Sequence, residues 1–231
     1  MSAMDTLDQL VREHMEAIEV PIVLHTINSP VDYAWLWSWL DLSGKERYGL
    51  KFRLDPADVA IIANILVWYL KDQQAADQLQ LRLNAGLLVS GPVGCGKTTL
   101  VKLCASLPGS KERPWIKACR EISYEVEEDG PATILHYTRH SWDYVWNKPK
   151  TYIFDDLGQE TNVNFYGTNI SPMRDILLGR YDYFISHGMN TIITTNLTSQ
   201  QISDRYGESI RSRLREMMNQ LPFSGSSGDK R

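Results

Sequence analysis

The sequence has few cysteines, no long apolar run and no excess of positive charge. Its three cysteines, Cys95, Cys104 and Cys119, are an odd number without a CxxC pair, which argues against a disulfide framework and a cysteine-built zinc site. The longest apolar stretch, Ala60 to Leu70, is interrupted by Asn64 and falls short of the ~20 residues a membrane-spanning helix needs. Lysine and arginine total 24 against 28 aspartates and glutamates, a net charge of −4. Bulk positive charge is therefore not the means of gripping nucleic acid, although a local basic patch is compatible with this balance. The first twenty residues, MSAMDTLDQLVREHMEAIEV, lack a basic segment followed by an apolar one, so no signal peptide is expected. These absences together predict a reduced, soluble, cytoplasmic protein that does not enter a membrane.

What is present is ordinary globular composition: 43% hydrophobic and 23% charged residues over 231 positions. That suits one large domain with or without an appendage, and excludes a disordered tail or a collagen-like chain. Residues 5–19 read as an amphipathic helix stopped by Pro21. The segment SPVDYAWLWSWLDL, residues 29–42, places Trp35, Leu36, Trp39 and Leu40 on one helical face. Trp35, Trp37 and Trp39 would equally share a strand face, and periodicity alone leaves both open. Asp55-Pro56 reads as an N-cap and first-turn proline opening a helix through Leu70. These tryptophans suit either an ordinary core or a face that docks a partner.

From Gly86 the pattern changes. GLLVSG reads as a buried strand entering a glycine loop, and KTTLVKLCASL as the helix after it. Further strands are expected at Trp115 to Ala118, Thr133 to Tyr137, Thr151 to Phe154 and Thr191 to Thr195. Helices are expected around Ser171 to Ser186 and Ser209 to Asn219. Strands alternating with helices predict an α/β fold around a central parallel sheet. The last residues, FSGSSGDKR, have the composition of a flexible tail.

The loop Gly91-Pro92-Val93-Gly94-Cys95-Gly96-Lys97-Thr98, followed by Thr99, fits GxxxxGK[ST] between a strand and a helix. Glycines let backbone N–H groups converge on an anion, and the helix start adds partial positive charge. Lys97 is suited to the β- and γ-phosphates and the Thr98 hydroxyl to Mg²⁺. Such a match with its correct context reads as a nucleotide site; the plain alternative is a glycine turn with an incidental lysine.

Tyr152-Ile153-Phe154-Asp155-Asp156 is an apolar strand ending in two carboxylates. Beside a phosphate loop, Asp155 would hold Mg²⁺ and Asp156 would polarise the attacking water; otherwise they are a solvated strand end. Thr191 to Asn196 ends a second apolar strand in an amide, and Asn196 there could orient water or simply make a turn. Arg205, Arg211, Arg213 and Arg215 lie in DRYGESIRSRLRE, where a solvated helix face is the plain reading.

Taken together, GPVGCGKTTL, YIFDDLGQE, TIITTNLT and RYGESIRSRLREM resemble the AAA+ ATPases of the initiator group, above all the DnaC-like helicase loaders and IstB-like transposition helpers. The resemblance covers about residues 80–231. It implies a three-layer P-loop NTPase with an ATPase domain (81–231) and a reduced or absent C-terminal lid, preceded by the short helical, tryptophan-rich N-terminal region (residues 1–80) read above from the residues. It implies Asp155 as the Mg²⁺-associated acid, Asn196 as sensor, Arg213 as a finger acting on a neighbouring subunit, and Arg231 as a second sensor. A ring or helical self-assembly follows, with a replicative helicase or a transposase as partner. Single-stranded DNA would meet the loop after the acidic strand, where Phe165 or Tyr166 would stack on a base; packing of that aromatic pair onto the sheet is the alternative.

The chain departs from the family pattern in three places. Asp156 stands where most AAA+ proteins carry glutamate, so Glu160 is a second candidate base. Ser209 stands where relatives commonly have arginine. Residues 1–80 match no loader N-terminal domain. A nucleotide-gated binding module with little hydrolysis and a small-molecule kinase are the rival readings.

Overall fold

The computed structural model describes residues 3–111 and 113–223. In chain order its helices are α1 (Ala3–Ala17), α2 (Ile22–His25), α3 (Tyr33–Tyr48), α4 (Val59–Leu70), α5 (Gln73–Leu79), α6 (Lys97–Cys104), α7 (Cys119–Asp129), α8 (Pro131–Tyr137), α9 (Pro172–His187), α10 (Ser199–Tyr206) and α11 (Glu208–Met217). The strands are β1 (Gly86–Ser90), β2 (Trp115–Ala118), β3 (Trp142–Asp143), β4 (Lys148–Pro149), β5 (Tyr152–Leu157), β6 (Val163–Phe165), β7 (Thr168–Ile170), β8 (Thr191–Thr195) and β9 (Met218–Pro222). No described helix is long and apolar enough to cross a membrane. The chain divides into two compact units.

The first unit holds residues 3–83 and 94–111 of the described chain. Two of its helices, α3 and α5, open on aspartate caps. Asp32 accepts from the Trp35 N–H at 2.9 Å and Asp72 from the Ala75 N–H at 3.1 Å. The tryptophan-rich segment is helix α3, with Trp37 and Trp39 buried. Asp55 accepts from the Ala57 N–H and Pro56 opens a 3-10 turn that runs into α4. Trp68 and Tyr69 meet edge to face at 5.3 Å, and the Tyr69 hydroxyl donates to the Val101 carbonyl of α6.

Asp41 on α3 ties this unit further. Burial pushes its carboxyl up, but hydrogen bonds from Lys45, His14 and the Leu54 N–H outweigh that and hold it below the ordinary aspartate value.

The second unit holds Asn84–Val93 and Arg113–Phe223. Its centre is a five-stranded, wholly parallel sheet in the order β2-β5-β8-β1-β9. Parallel strands need crossovers, and their near-continuous apolar runs fit burial on both faces. Leu87, Leu88, Val89, Ile153, Phe154, Ile192 and Ile193 are all buried. The expected parallel α/β sheet is thus present.

Two local expectations are corrected. Residues 133–137 are helix α8 rather than a strand. Pro131 sits in its first turn, the Thr133 hydroxyl donates to the Glu125 carbonyl at 3.0 Å, and Tyr137 packs edge-on against Tyr152 and Phe154. Tertiary packing overrides the β-branched character of Thr133 and Ile134. The helix expected to Asn219 stops at Met217, because residues 218–222 pair with β1 as an edge strand. The Asn219 amide also donates to the Gly86 carbonyl at 3.0 Å.

Candidate functional site

The carboxyl ends of β5, β8 and β1 lie side by side in the second unit, and each ends in a residue singled out by the sequence. β5 delivers Asp155 and Asp156, β8 runs into Asn196, and β1 runs into Gly91, Pro92 and Val93. The Gly91 N–H donates to the Thr195 carbonyl at 3.2 Å, which fixes the loop entrance beside β8. In open parallel sheets, ligands bind outside such carboxyl ends where the strand order switches, here around β1.

Asp155 is buried, and the Thr194 hydroxyl of β8 donates to its Oδ1 at 2.6 Å. The same hydroxyl oxygen accepts from the Asp156 N–H at 2.9 Å. Between Phe154 and Leu157 the β5–β8 register shifts, and Asp156 takes a left-handed φ of 58°. Aspartate tolerates that region better than most residues. The result separates the two acids: Asp155 is buried against Thr194, whereas Asp156 is half-buried and its carboxylate bonds to no other described residue. The Thr195 hydroxyl donates to the Leu157 carbonyl at 2.8 Å and accepts from the Leu197 N–H, which steadies the chain on either side of Asn196.

Glu160 follows in a buried position. Its carboxylate accepts from the Gly158 N–H at 2.9 Å, from the Tyr206 hydroxyl and from Arg205 Nε at 3.4 Å. Burial, then the Glu160 charge and hydrogen bond, push the Tyr206 phenol well above its usual range. These bonds clamp α10 to the loop after the acidic strand. The Cys119 thiol, at the start of α7, is also driven well up, first by burial and then by the charges of Glu160, Asp155 and Asp156. The three acids therefore make one negative pole.

The rest of the glycine loop belongs to the first unit. Gly94 and Gly96 have φ of 85° and 92°, a region closed to most side chains, and α6 begins at Lys97 with no side chain capping it. Cys95 and Lys97 are buried, and the Lys97 ammonium donates to Cys95 Sγ at 3.6 Å. Thr98 and Thr99 occupy the first helical turn. This backbone fits a phosphate group. Among the described residues no cluster of three or more His, Cys, Asp or Glu could hold a metal. Asp155 offers a buried carboxylate oxygen, the hard donor type of which Mg²⁺ takes one or two beside phosphate and water.

The other expected residues are placed as follows. Arg213 on α11 lies with its guanidinium 5.0 Å from the ring centre of Tyr181 on α9, whose hydroxyl donates to Glu216. Ser209 is exposed on α11. Phe165 packs towards Gly130, where a Cβ would stand 2.4 Å from its ring, and Tyr166 is 93% exposed at the tip of the β6–β7 hairpin. Tyr166 and Gly167 both have positive φ, as a tight two-residue hairpin turn requires. Arg231 and most of the expected flexible tail lie outside the described residues.

Sequence reasoning missed Thr194, whose hydroxyl joins the two acids, and the Arg205–Glu160–Tyr206 cluster. Thr194 was legible in principle as a polar residue inside an apolar strand.

No family model matches the chain. A guanylate kinase from Helicobacter hepaticus is 34% identical over 94 residues, 40% of this chain and 44% of that enzyme. The chain thus matches less than half the length of this relative. Among solved structures, the crystal structure of the DnaC helicase loader matches at 20% identity with a TM-score of 0.41, covering 61% of this chain and 79% of that one. The crystal structure of DnaI matches at 20% identity with a TM-score of 0.45, covering 64% and 73%. Likenesses at this level are of fold at most.

Proposed function

We propose that this protein is a Mg·ATP-binding AAA+ ATPase of the helicase-loader type, which assembles with itself and remodels a DNA-associated partner. The observation that carries the nucleotide reading is the alignment, on three adjacent parallel strands, of the paired acids, Asn196 and the entrance of the glycine loop. The loader reading rests on four sequence motifs in family order.

Bound Mg·ATP would supply an electrophilic γ-phosphorus whose leaving charge the metal neutralises. Lys97 and the Gly94–Thr98 backbone would bind the phosphates, with Thr98 and Asp155 as the oxygens available to the metal. The Thr194 hydroxyl keeps Asp155 oriented. Asp156, half-buried and turned out of the strand by its left-handed backbone, would accept the proton of the attacking water, with Asn196 orienting that water. Arg213 of one subunit would meet the phosphate held by the next, which requires it to leave the Tyr181 ring.

The test is steady-state phosphate release with and without single-stranded DNA. Lys97→Ala and Asp156→Asn should each lower it at least ~100-fold. No release above the Lys97→Ala background would favour a nucleotide-gated binding module. Mixing Arg213→Ala with Lys97→Ala subunits should restore part of the activity; no recovery in intact assemblies would remove the finger role. An IstB-like transposition helper shares all these motifs, and capture of a transposase rather than a helicase would identify it. The guanylate kinase match favours one further reading, phosphoryl transfer to a nucleoside monophosphate. Supplying GMP with ATP and following diphosphate formation separates transfer from hydrolysis.

A further inference from the structure

Three consecutive large apolar residues, Tyr144, Val145 and Trp146, are 79%, 85% and 74% exposed. They form the tip of the short hairpin β3–β4, in the second unit and away in sequence from every residue given a role above. The hairpin holds them out by specific bonds. Asp143 Oδ1 accepts from the Val145 and Trp146 N–H groups at 3.0 and 3.2 Å, and Asn147 closes the turn with a φ of 48°. At the base, Trp142 packs edge-on against His187 at 5.2 Å, and the Lys150 N–H donates to the Ser141 carbonyl.

Around this tip the charge is positive, in a chain that is acidic overall. Residues 139–150 carry Arg139, Lys148 and Lys150 against a single acid, Asp143. Among the described residues none of those three cations pairs with a carboxylate, whereas Lys117 on β2 is held by Glu121 at 3.0 Å and Glu125 at 2.6 Å. The Lys150 ammonium sits 4.8 Å from the ring centre of Trp115, itself 57% exposed on the edge strand β2. Exposed rings at the tip are thus flanked in sequence by cations without a carboxylate partner, Arg139 before them and Lys148 and Lys150 after.

We propose that the β3–β4 hairpin is a binding platform for single-stranded nucleic acid. Bases stack on Tyr144 and Trp146, while phosphates lie along Arg139, Lys148 and Lys150. Every base has a π face, so such a platform is tolerant of sequence, and it needs unpaired bases because a duplex keeps its faces stacked. A purely apolar protein partner would explain the exposed rings but not the unpaired cations beside them.

The test is anisotropy of a fluorescein-labelled oligothymidylate of about twenty nucleotides, longer than the ~4–16 that one binding fold covers. It is run on the full chain without nucleotide, so failure of the ATPase reading leaves the result readable. The double variant Tyr144→Ala/Trp146→Ala should weaken binding about tenfold or more, with Tyr144→Phe/Trp146→Phe restoring most of it. Lys148→Ala/Lys150→Ala should flatten the salt dependence of log K by about 1.4, from ~0.7 per phosphate contact on single strands. Tyr166→Ala, on the other hairpin, should have the smaller effect. Unchanged circular dichroism excludes misfolding, since the altered side chains are mostly exposed. The proposal is overturned if the wild type does not bind, if the alanine pair binds like wild type, or if Tyr166→Ala is the more damaging change. Loss of self-association with oligonucleotide binding intact would also overturn it and make the tip a contact between copies.

Discussion

The two ends of strands β5 and β8 each bury a charged side chain beside a β8 threonine, and they treat it in opposite ways. At the amino end, Arg180 of α9 is fully buried and spends its five N–H groups on five neutral oxygens. Nε donates to the Thr191 hydroxyl at 2.7 Å, one terminal nitrogen to the Tyr137 carbonyl and Ser141 hydroxyl, and the other to the Lys150 and Asn190 carbonyls. Burial pulls its pKa down to about 9, which still leaves it a cation at neutral pH. At the carboxyl end, the Thr194 hydroxyl orients Asp155, and Asp156 is turned outward with no described partner for its carboxylate. One end is closed by its bonds, whereas the other leaves a carboxylate unbonded among the described residues, as the proposed catalysis would need. Burial of a charge is therefore no sign of function until its bonds are counted.

The comparison breaks most sharply at Arg180. Arg180→Met should cost at least about 3 kcal/mol, because several buried acceptors lose their donor together. Urea denaturation without nucleotide measures this, and a loss under about 1 kcal/mol would show that the amino end does not depend on the guanidinium. Arg180→Lys should recover little, since an ammonium cannot reach five acceptors in a planar fork. At the other end, Asp156→Asn should change the unfolding free energy by no more than about 0.5 kcal/mol, as expected for a side chain without such bonds. Phosphate release should nonetheless fall ~100-fold, worth about 2.7 kcal/mol in the barrier. A stability loss there matching that of Arg180→Met would erase the distinction.

The sequence exposed the two ends unequally. The paired acids were visible because carboxylates closing the apolar run YIFDD demand an explanation, and the glycine loop because its spacing is specific. Arg180 was invisible: it sits in GRYDYF, amid polar and aromatic neighbours, and nothing local says that it turns inward. Its acceptors come from three segments, residues 137–141, 150 and 190–191, so only the folded chain reveals them. The same applies to α8, where Thr133 and Ile134 look like strand residues until Tyr137 is seen packed on Tyr152 and Phe154. Cys119 at the negative pole and the Tyr144–Trp146 tip were likewise unremarkable as letters. Strong local chemistry was legible, whereas long-range satisfaction of buried groups was not.

The finest form of the comparison uses one substitution at both ends of the same strand. Thr191 and Thr194 are fully buried on β8, three residues apart, and valine is close to threonine in shape. Thr191→Val removes an acceptor from Arg180, and Thr194→Val removes both the donor to Asp155 and the acceptor for the Asp156 N–H. Each loss involves a charged group, so each should cost about 2 kcal/mol in urea denaturation. Their effects on turnover should differ. Thr191→Val should leave phosphate release unchanged at temperatures where the protein stays folded, because Arg180 retains four other acceptors and lies at the far end of the strand. Thr194→Val should lower it about tenfold, the scale of a misplaced acid whose orienting bond is gone. Equal turnover in the two variants would mean that the Thr194 hydroxyl serves only to satisfy buried atoms, as Thr191 does.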